Sequence, residues 1–87
     1  MDKEELMEIV GYVKVSKYRA KTLRFIGEGY KMPSEIAKEL DIATSQASNI
    51  LKSLKNHNLV VCINPNVRKG RLYQNTELGF IILEKLD

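Results

Sequence analysis

The 87-residue chain has one cysteine, Cys62, and one histidine, His57. A single thiol excludes an internal disulfide framework and fits a reducing, cytoplasmic setting. One Cys and one His cannot complete a tetrahedral zinc site within the chain. No Gly-rich phosphate loop, paired-carboxylate motif or metal-spaced Cys/His cluster is present, so neither an enzyme, a metal nor another cofactor is expected. His57 falls at the end of a helical pattern, where it can complement the negative pole of the dipole instead. No basic segment leading into an apolar one opens the chain, and a secretory signal is not expected. The apolar run Phe80 to Leu83 is far too short to span a bilayer, which argues against a membrane partner. Internal repeats and low-complexity segments are also missing.

What is present is the composition of one small globular domain, 44% hydrophobic and 29% charged. Such a chain buries a modest fraction of its surface and has little stability to spare. The net charge of +3 is unevenly distributed: Asp2, Glu4, Glu5 and Glu8 against Lys3 leave −3 in the first ten residues, so the remainder carries +6. A basic body suits a polyanion partner, and the acidic leader has a separate role.

Leu6, Ile9, Val10 and Val13 recur at helical spacing, which predicts a short amphipathic helix over Glu4 to Val10. Gly11 is expected to interrupt it, with Gly11 to Val15 extended. So short a stripe must pack on the body or on a second subunit, making 1–13 an arm and a candidate dimer contact. Ser16 to Gly27 predicts a helix capped by Ser16, with Tyr18, Thr22, Leu23 and Ile26 on its inner face. Lys17, Arg19, Lys21 and Arg24 make most of its outer surface positive, which suits phosphate contact. Glu28 to Lys31 reads as a turn around Gly29.

Two short helical patterns follow, separated by a tight break. In the first, Ile36, Ala37 and Leu40 form a buried stripe, and Pro33 stands where a missing N–H costs nothing. Asp41 to Ala43 break the pattern, and Thr44 is expected to cap the second helix. There Ala47, Ile50, Leu51 and Leu54 face inward, while Ser45, Gln46, Ser48, Asn49 and Lys52 face outward. Small hydrogen-bonding side chains on an outer helical face are what reading base edges in a major groove requires. The spacing predicts a helix-turn-helix over 32–58, ending near Asn58, a residue that tolerates the left-handed backbone.

Leu59 to Ile63 is a β-branched run of strand type, and Asn64 to Gly70 reads as a loop. Arg71 to Asn75 alternates as a second strand. The resulting two-stranded hairpin, 59–75, carries Arg68, Lys69 and Arg71 at its tip, poised to touch phosphates or a minor groove. Thr76 caps a last helix, 77–87, in which Phe80, Ile81, Ile82 and Leu83 cover more than half the circumference. One core-facing stripe needs only about half of these, so the surplus predicts burial against another subunit. Cys62 alternates with Val60 and Val61 in an apolar strand, which points to a buried, inert thiol rather than a redox sensor.

The run SEIAKELDIATSQASNILKSLKNHNLV resembles the helix-turn-helix of MarR-like and ArsR-like winged-helix transcription regulators. SKYRAKTLRFI upstream and RKGRLYQNTELG downstream are similar to small archaeal members of that group. The resemblance covers residues 14–86. It implies an α+β, mainly α fold: a winged helix-turn-helix (14–76) with a two-stranded wing and a C-terminal helix. It further implies a homodimer on pseudo-palindromic double-stranded DNA, with half-sites about 34 Å apart.

By position, the recognition helix is 44–56, with Ser45, Gln46, Ser48, Asn49 and Lys52 reading bases, Gln46 and Asn49 foremost. Ser34 would contact phosphate, as would Lys17, Arg19, Lys31, Thr44 and Lys55. Arg68, Lys69 and Arg71 belong to the wing segment 64–71, and Leu6, Ile9, Val10, Phe80, Ile81 and Leu83 to the dimer seam. Asp41 and Asn58 stand where the family often has Gly, and either residue can adopt positive φ. Met32 supplies no side-chain cap, at a cost of around 1 kcal/mol. Two other readings fit the same residues: a winged helix used for protein assembly without base reading, and a nonspecific nucleic-acid binder. A small-molecule effector is not identified by any motif.

Overall fold

The computed structural model describes residues 1–86; Asp87, the end of the expected 77–87 segment, lies outside the described residues. Asp2 starts the first helix, α1 (Lys3–Lys14), by accepting the Glu5 N–H on Oδ1 at 2.9 Å. Glu4 and Glu5 then lie in the first turn, where carboxylates complement the helix dipole. The expected interruption at Gly11 does not occur. A glycine in a helix interior costs about 1 kcal/mol, whereas fully burying Val10 and Val13, which flank it, returns more than that.

Helix α2 (Lys17–Ile26) buries Thr22, Leu23 and Ile26. Ser16 occupies its N-cap position in extended geometry, but the hydroxyl makes no capping bond, contrary to expectation. The segment expected as a turn after α2 instead supplies a strand, β1 (Tyr30–Lys31). These two residues find a free edge on the hairpin, and the backbone takes the available hydrogen bonds.

Helix α3 (Pro33–Leu40) and helix α4 (Thr44–Asn56) form the helix-turn-helix. α3 ends at Asp41, with φ 56° and ψ 50°, and the Ile42 N–H returns to Ala37 O at 3.0 Å. α4 ends in the same way: Asn58 has φ 61°, and the Leu59 N–H reaches Leu54 O at 2.9 Å. Both ends thus close through a left-handed residue and a long backward bond, the arrangement that usually recruits glycine. Thr44 does not cap α4. It is the first helical residue, and Ala43 occupies the cap position without a side-chain acceptor. Gln46 supplies half a capping box from the other side, its Oε1 accepting the Ala43 N–H at 3.0 Å. Glu35 does the same for Met32 at 2.9 Å, compensating the cap that Met32 lacks.

The expected hairpin forms from β2 (Val60–Cys62) and β3 (Tyr73–Asn75). It is joined by β1 into a three-stranded antiparallel sheet, order β1-β3-β2, with Gln74 opposite both Tyr30 and Val61. Helix α5 (Glu77–Leu86) follows. Thr76 caps it as expected, Oγ1 accepting the Gly79 N–H at 3.1 Å while its hydroxyl donates to Asn58 O at 2.6 Å.

One core joins these parts. Val13, Leu23, Ile36, Leu51, Leu54, Leu59 and Ile82 have no solvent exposure, and they come from α1 through α5. Asn75 bolts the sheet to α2: its Nδ2 donates to Leu23 O at 2.9 Å and to Gly27 O at 3.0 Å. Those carbonyls lie at the α2 terminus, where no intrahelical partner remains for the last of them. Cys62 is buried, and its thiol donates to Asn64 Oδ1 at 3.6 Å.

Candidate nucleic-acid interface

The inward stripe of α4 is buried through Ala47, Leu51 and Leu54, which leaves Ser45, Gln46, Ser48, Asn49 and Lys52 exposed on its outer side. β2 then turns the chain back, and the wing loop rises beside that outer side. Asn64 shapes the loop. Its Nδ2 donates to Gly70 O at 3.0 Å, and its Oδ1 accepts the Leu72 N–H at 2.7 Å. Arg71 Nε donates to Val67 O at 2.8 Å across the same loop. The strands are shorter than expected at both loop ends, although the Ile63 N–H still reaches Leu72 O at 2.9 Å.

Between α4 and the wing lies a cleft of about 640 Å³. Lys52 and Lys55 line it from α4, and Arg68, Lys69 and Arg71 line it from the wing. Five cations meet there with no carboxylate among the lining residues. Like charges at such density repel one another, so the arrangement is stabilised by an anion from outside. Ser48 and Asn49 stand on the helix side of the cleft, and Ser34 and Thr44 sit at its end near the two helix N-termini. Free backbone N–H groups at such termini also favour phosphate. Four further lining residues were not expected at the site from the sequence: Met32, Pro33, Gly70 and Tyr73. Apolar or loop residues carry no charge signal, and only the folded geometry brings them here.

The remaining expected residues divide. Gln46 borders a separate shallow groove of about 260 Å³ with Tyr18, Ile42 and Ile50, and Asn49 stands on the ridge between this groove and the cleft. Lys17 is exposed, its Nζ 5.3 Å from the Tyr18 ring centroid. Lys31 lies in β1 with Nζ 5.2 Å from the Phe25 ring centroid, away from the cleft lining. Arg19 is engaged internally, Nη1 donating to Tyr12 O at 2.7 Å.

Of the expected dimer residues, Phe80 and Ile81 are each 37% exposed, and Leu6, Ile9 and Leu83 are half-buried against the core. Val10 is a correction: at 3% exposure it is consumed by the chain's own core and offers no surface to a partner. Among the described residues, no group of three or more His, Cys, Asp or Glu could hold a metal ion. No described helix is long and apolar enough to cross a membrane.

No protein-family model matches the sequence, and no curated protein does. Solved structures do match. The transcriptional regulator Tm0710 from Thermotoga maritima superposes with a TM-score of 0.76 at 23% identity, over 97% of this chain and 61% of that one. The adhesin competence repressor AdcR from Streptococcus pyogenes gives 0.69 at 18% identity, over 95% of this chain and 68% of that one. The chain therefore spans about two thirds of the length of these neighbours. It shares the fold of these transcriptional regulators, a winged helix-turn-helix.

Proposed function

We propose that the chain is a transcription regulator that binds double-stranded DNA sequence-specifically as a homodimer. The observation that carries this reading is the cleft between α4 and the wing, where Lys52, Lys55, Arg68, Lys69 and Arg71 converge without a carboxylate. With α4 in the major groove, Ser48, Asn49 and Lys52 face base edges, and the wing cations lie on the backbone or in the adjacent minor groove. Asn49 is suited to bond adenine at N6 and N7, and Lys52 to reach guanine, each pair discriminating by about 1–3 kcal/mol. Ser45 and Gln46 lie at the leading end of the same helix; the Gln46 amide N–H groups remain available while its Oε1 caps the helix.

Phosphate contacts fall to Ser34, Thr44 and Lys55 around the cleft, and to Lys17 and Lys31 outside its lining. Dimerisation is assigned to the α1 and α5 surface, where Phe80, Ile81 and the 54% exposed Met7 leave apolar area to be covered. Two-fold symmetry then calls for a pseudo-palindromic site with half-sites about one helical turn apart. Such a regulator works in the cytoplasm, where its DNA is.

The test is selection from a random duplex pool at low salt, followed by sequencing. Enrichment of a palindrome supports both DNA reading and dimer. Salt-sensitive retention without enrichment leaves a nonspecific binder, and no retention at all leaves a protein-assembly module.

A further inference from the structure

The residue that the sequence places among the phosphate contacts, Arg19, is held by a contact inside the protein. Its guanidinium carbon lies 3.9 Å from the Tyr12 ring centroid, and Nη1 donates to Tyr12 O at 2.7 Å. The His57 ring stacks on the same Tyr12 ring, with centroids 3.7 Å apart and planes 16° from parallel. Two groups at these distances cannot share one face of a ring, so Tyr12 is sandwiched between them. The stack is tied at its edges as well. The Tyr12 hydroxyl is hydrogen-bonded to Ser53 Oγ, and His57 Nδ1 donates to Ser53 O at 2.9 Å. Tyr12 belongs to α1, Arg19 to α2 and Ser53 to the last turn of α4, and His57 is the C-cap of α4.

We propose that Arg19, Tyr12, Ser53 and His57 form a clasp that fixes the C-terminal end of the recognition helix to α1, with Arg19 a positioning residue rather than a phosphate contact. This rests on the DNA-binding reading. α4 presents its polar letters from the first three turns, so the direction in which they enter a groove depends on how its far end is held. The clasp holds that end with a planar stack of cation, phenol and imidazole, each layer hydrogen-bonded to backbone or to Ser53. It also links the recognition helix to the same helix that carries part of the assigned dimer surface. Docking of a second copy on α1 would then set the pitch of α4 through Tyr12. A lysine at position 19 would keep the charge but lose the planar, stacked fork.

The test uses the full chain with Arg19→Lys, Arg19→Gln and Tyr12→Phe. Amide hydrogen exchange on the free protein should show Lys55 to His57 losing protection about fivefold in all three variants, the loss expected for one cation–π or hydrogen-bond contact. Amides of α3 should be unchanged. Unaltered exchange at Lys55 to His57 overturns the clasp. Affinity is then measured for the selected duplex and a scrambled duplex across a salt series. Arg19→Lys should weaken the selected duplex about fivefold and leave the scrambled one alone, since the loss is of alignment worth one such contact. Arg19→Gln should keep the wild-type salt slope. If Arg19→Lys binds like wild type while Arg19→Gln flattens the slope by about 0.9, Arg19 is a phosphate contact and the proposal fails. A wild-type chain that binds neither duplex sinks the DNA reading instead, and the exchange result alone then decides the clasp.

Discussion

The same substitution, glycine to alanine within a helix, should have opposite effects at Gly11, near the end of α1, and Gly79, in the first turn of α5. At Gly11 a Cβ would meet no atom within 4 Å, so Gly11→Ala collects the full helix-propensity gain of about 1 kcal/mol. At Gly79 the same Cβ would fall 2.4 Å from Leu59 O and 3.1 Å from Asn75 Oδ1. The first of these is backbone and cannot swing aside. Leu59 O also accepts the Thr76 N–H at 3.1 Å, so displacing it strains the junction between β3 and α5. The second is a buried oxygen that already has no hydrogen-bond partner. Overpacking of this kind costs about 1–3 kcal/mol, and weakening the Thr76 bond adds about 1 kcal/mol. After the propensity gain is subtracted, Gly79→Ala should destabilise by about 2 kcal/mol. For a domain of this size the melting temperature should therefore fall by about 10 °C at Gly79 and rise by about 5 °C at Gly11. Thermal unfolding followed by circular dichroism, with reversibility checked, reads both. If the two variants shift Tm in the same direction, the close approach of α5 to the backbone at Leu59 is wrong.

Two further substitutions probe the contacts that shape the site. Asn75→Asp removes both N–H donors and sets a carboxylate against Leu23 O and Gly27 O; a loss of more than about 3 kcal/mol is expected in urea unfolding, because the group is buried. An Asn75→Asp chain with an unchanged urea midpoint would show that the sheet is not bolted to α2 in this way. Asn64→Ala should leave global stability nearly intact but free the wing, raising the rate of tryptic cleavage after Arg68 and Lys69 about tenfold for the two lost hydrogen bonds to the loop backbone. Equal cleavage rates would mean that Asn64 does not order the loop.

The helix-turn-helix was legible because its signals are local. A 3.6-residue period separates Ala47, Leu51 and Leu54 from Ser48, Asn49 and Lys52, and Asp41 and Asn58 both adopt the left-handed backbone expected of glycine substitutes. The wing and the Thr76 cap were visible for the same reason. What escaped depends on distant partners. Gly11 looks like a helix breaker until Val10 and Val13 are seen to be buried against elements far along the chain. Tyr30 and Lys31 become a strand only because Gln74 and Tyr73 present an edge more than forty residues away. Gln46 reads as a base contact from its helical face, yet its Oε1 is committed to the Ala43 N–H. Arg19 reads as one more outward cation, and nothing local reveals the Tyr12 ring beneath it. Asn64, which organises the wing, was simply one polar residue in a loop.

If the cleft between α4 and the wing neutralises DNA phosphates, binding must depend steeply on salt. Affinity for the selected duplex should fall linearly on logarithmic axes, with a slope of about −0.9 for each phosphate contacted. Replacing Arg68 and Lys69 together by Ala should flatten that slope by about 1.8 while leaving the preferred sequence unchanged. Binding that ignores salt, or a slope untouched by the double substitution, would mean that the cleft does not hold DNA phosphates.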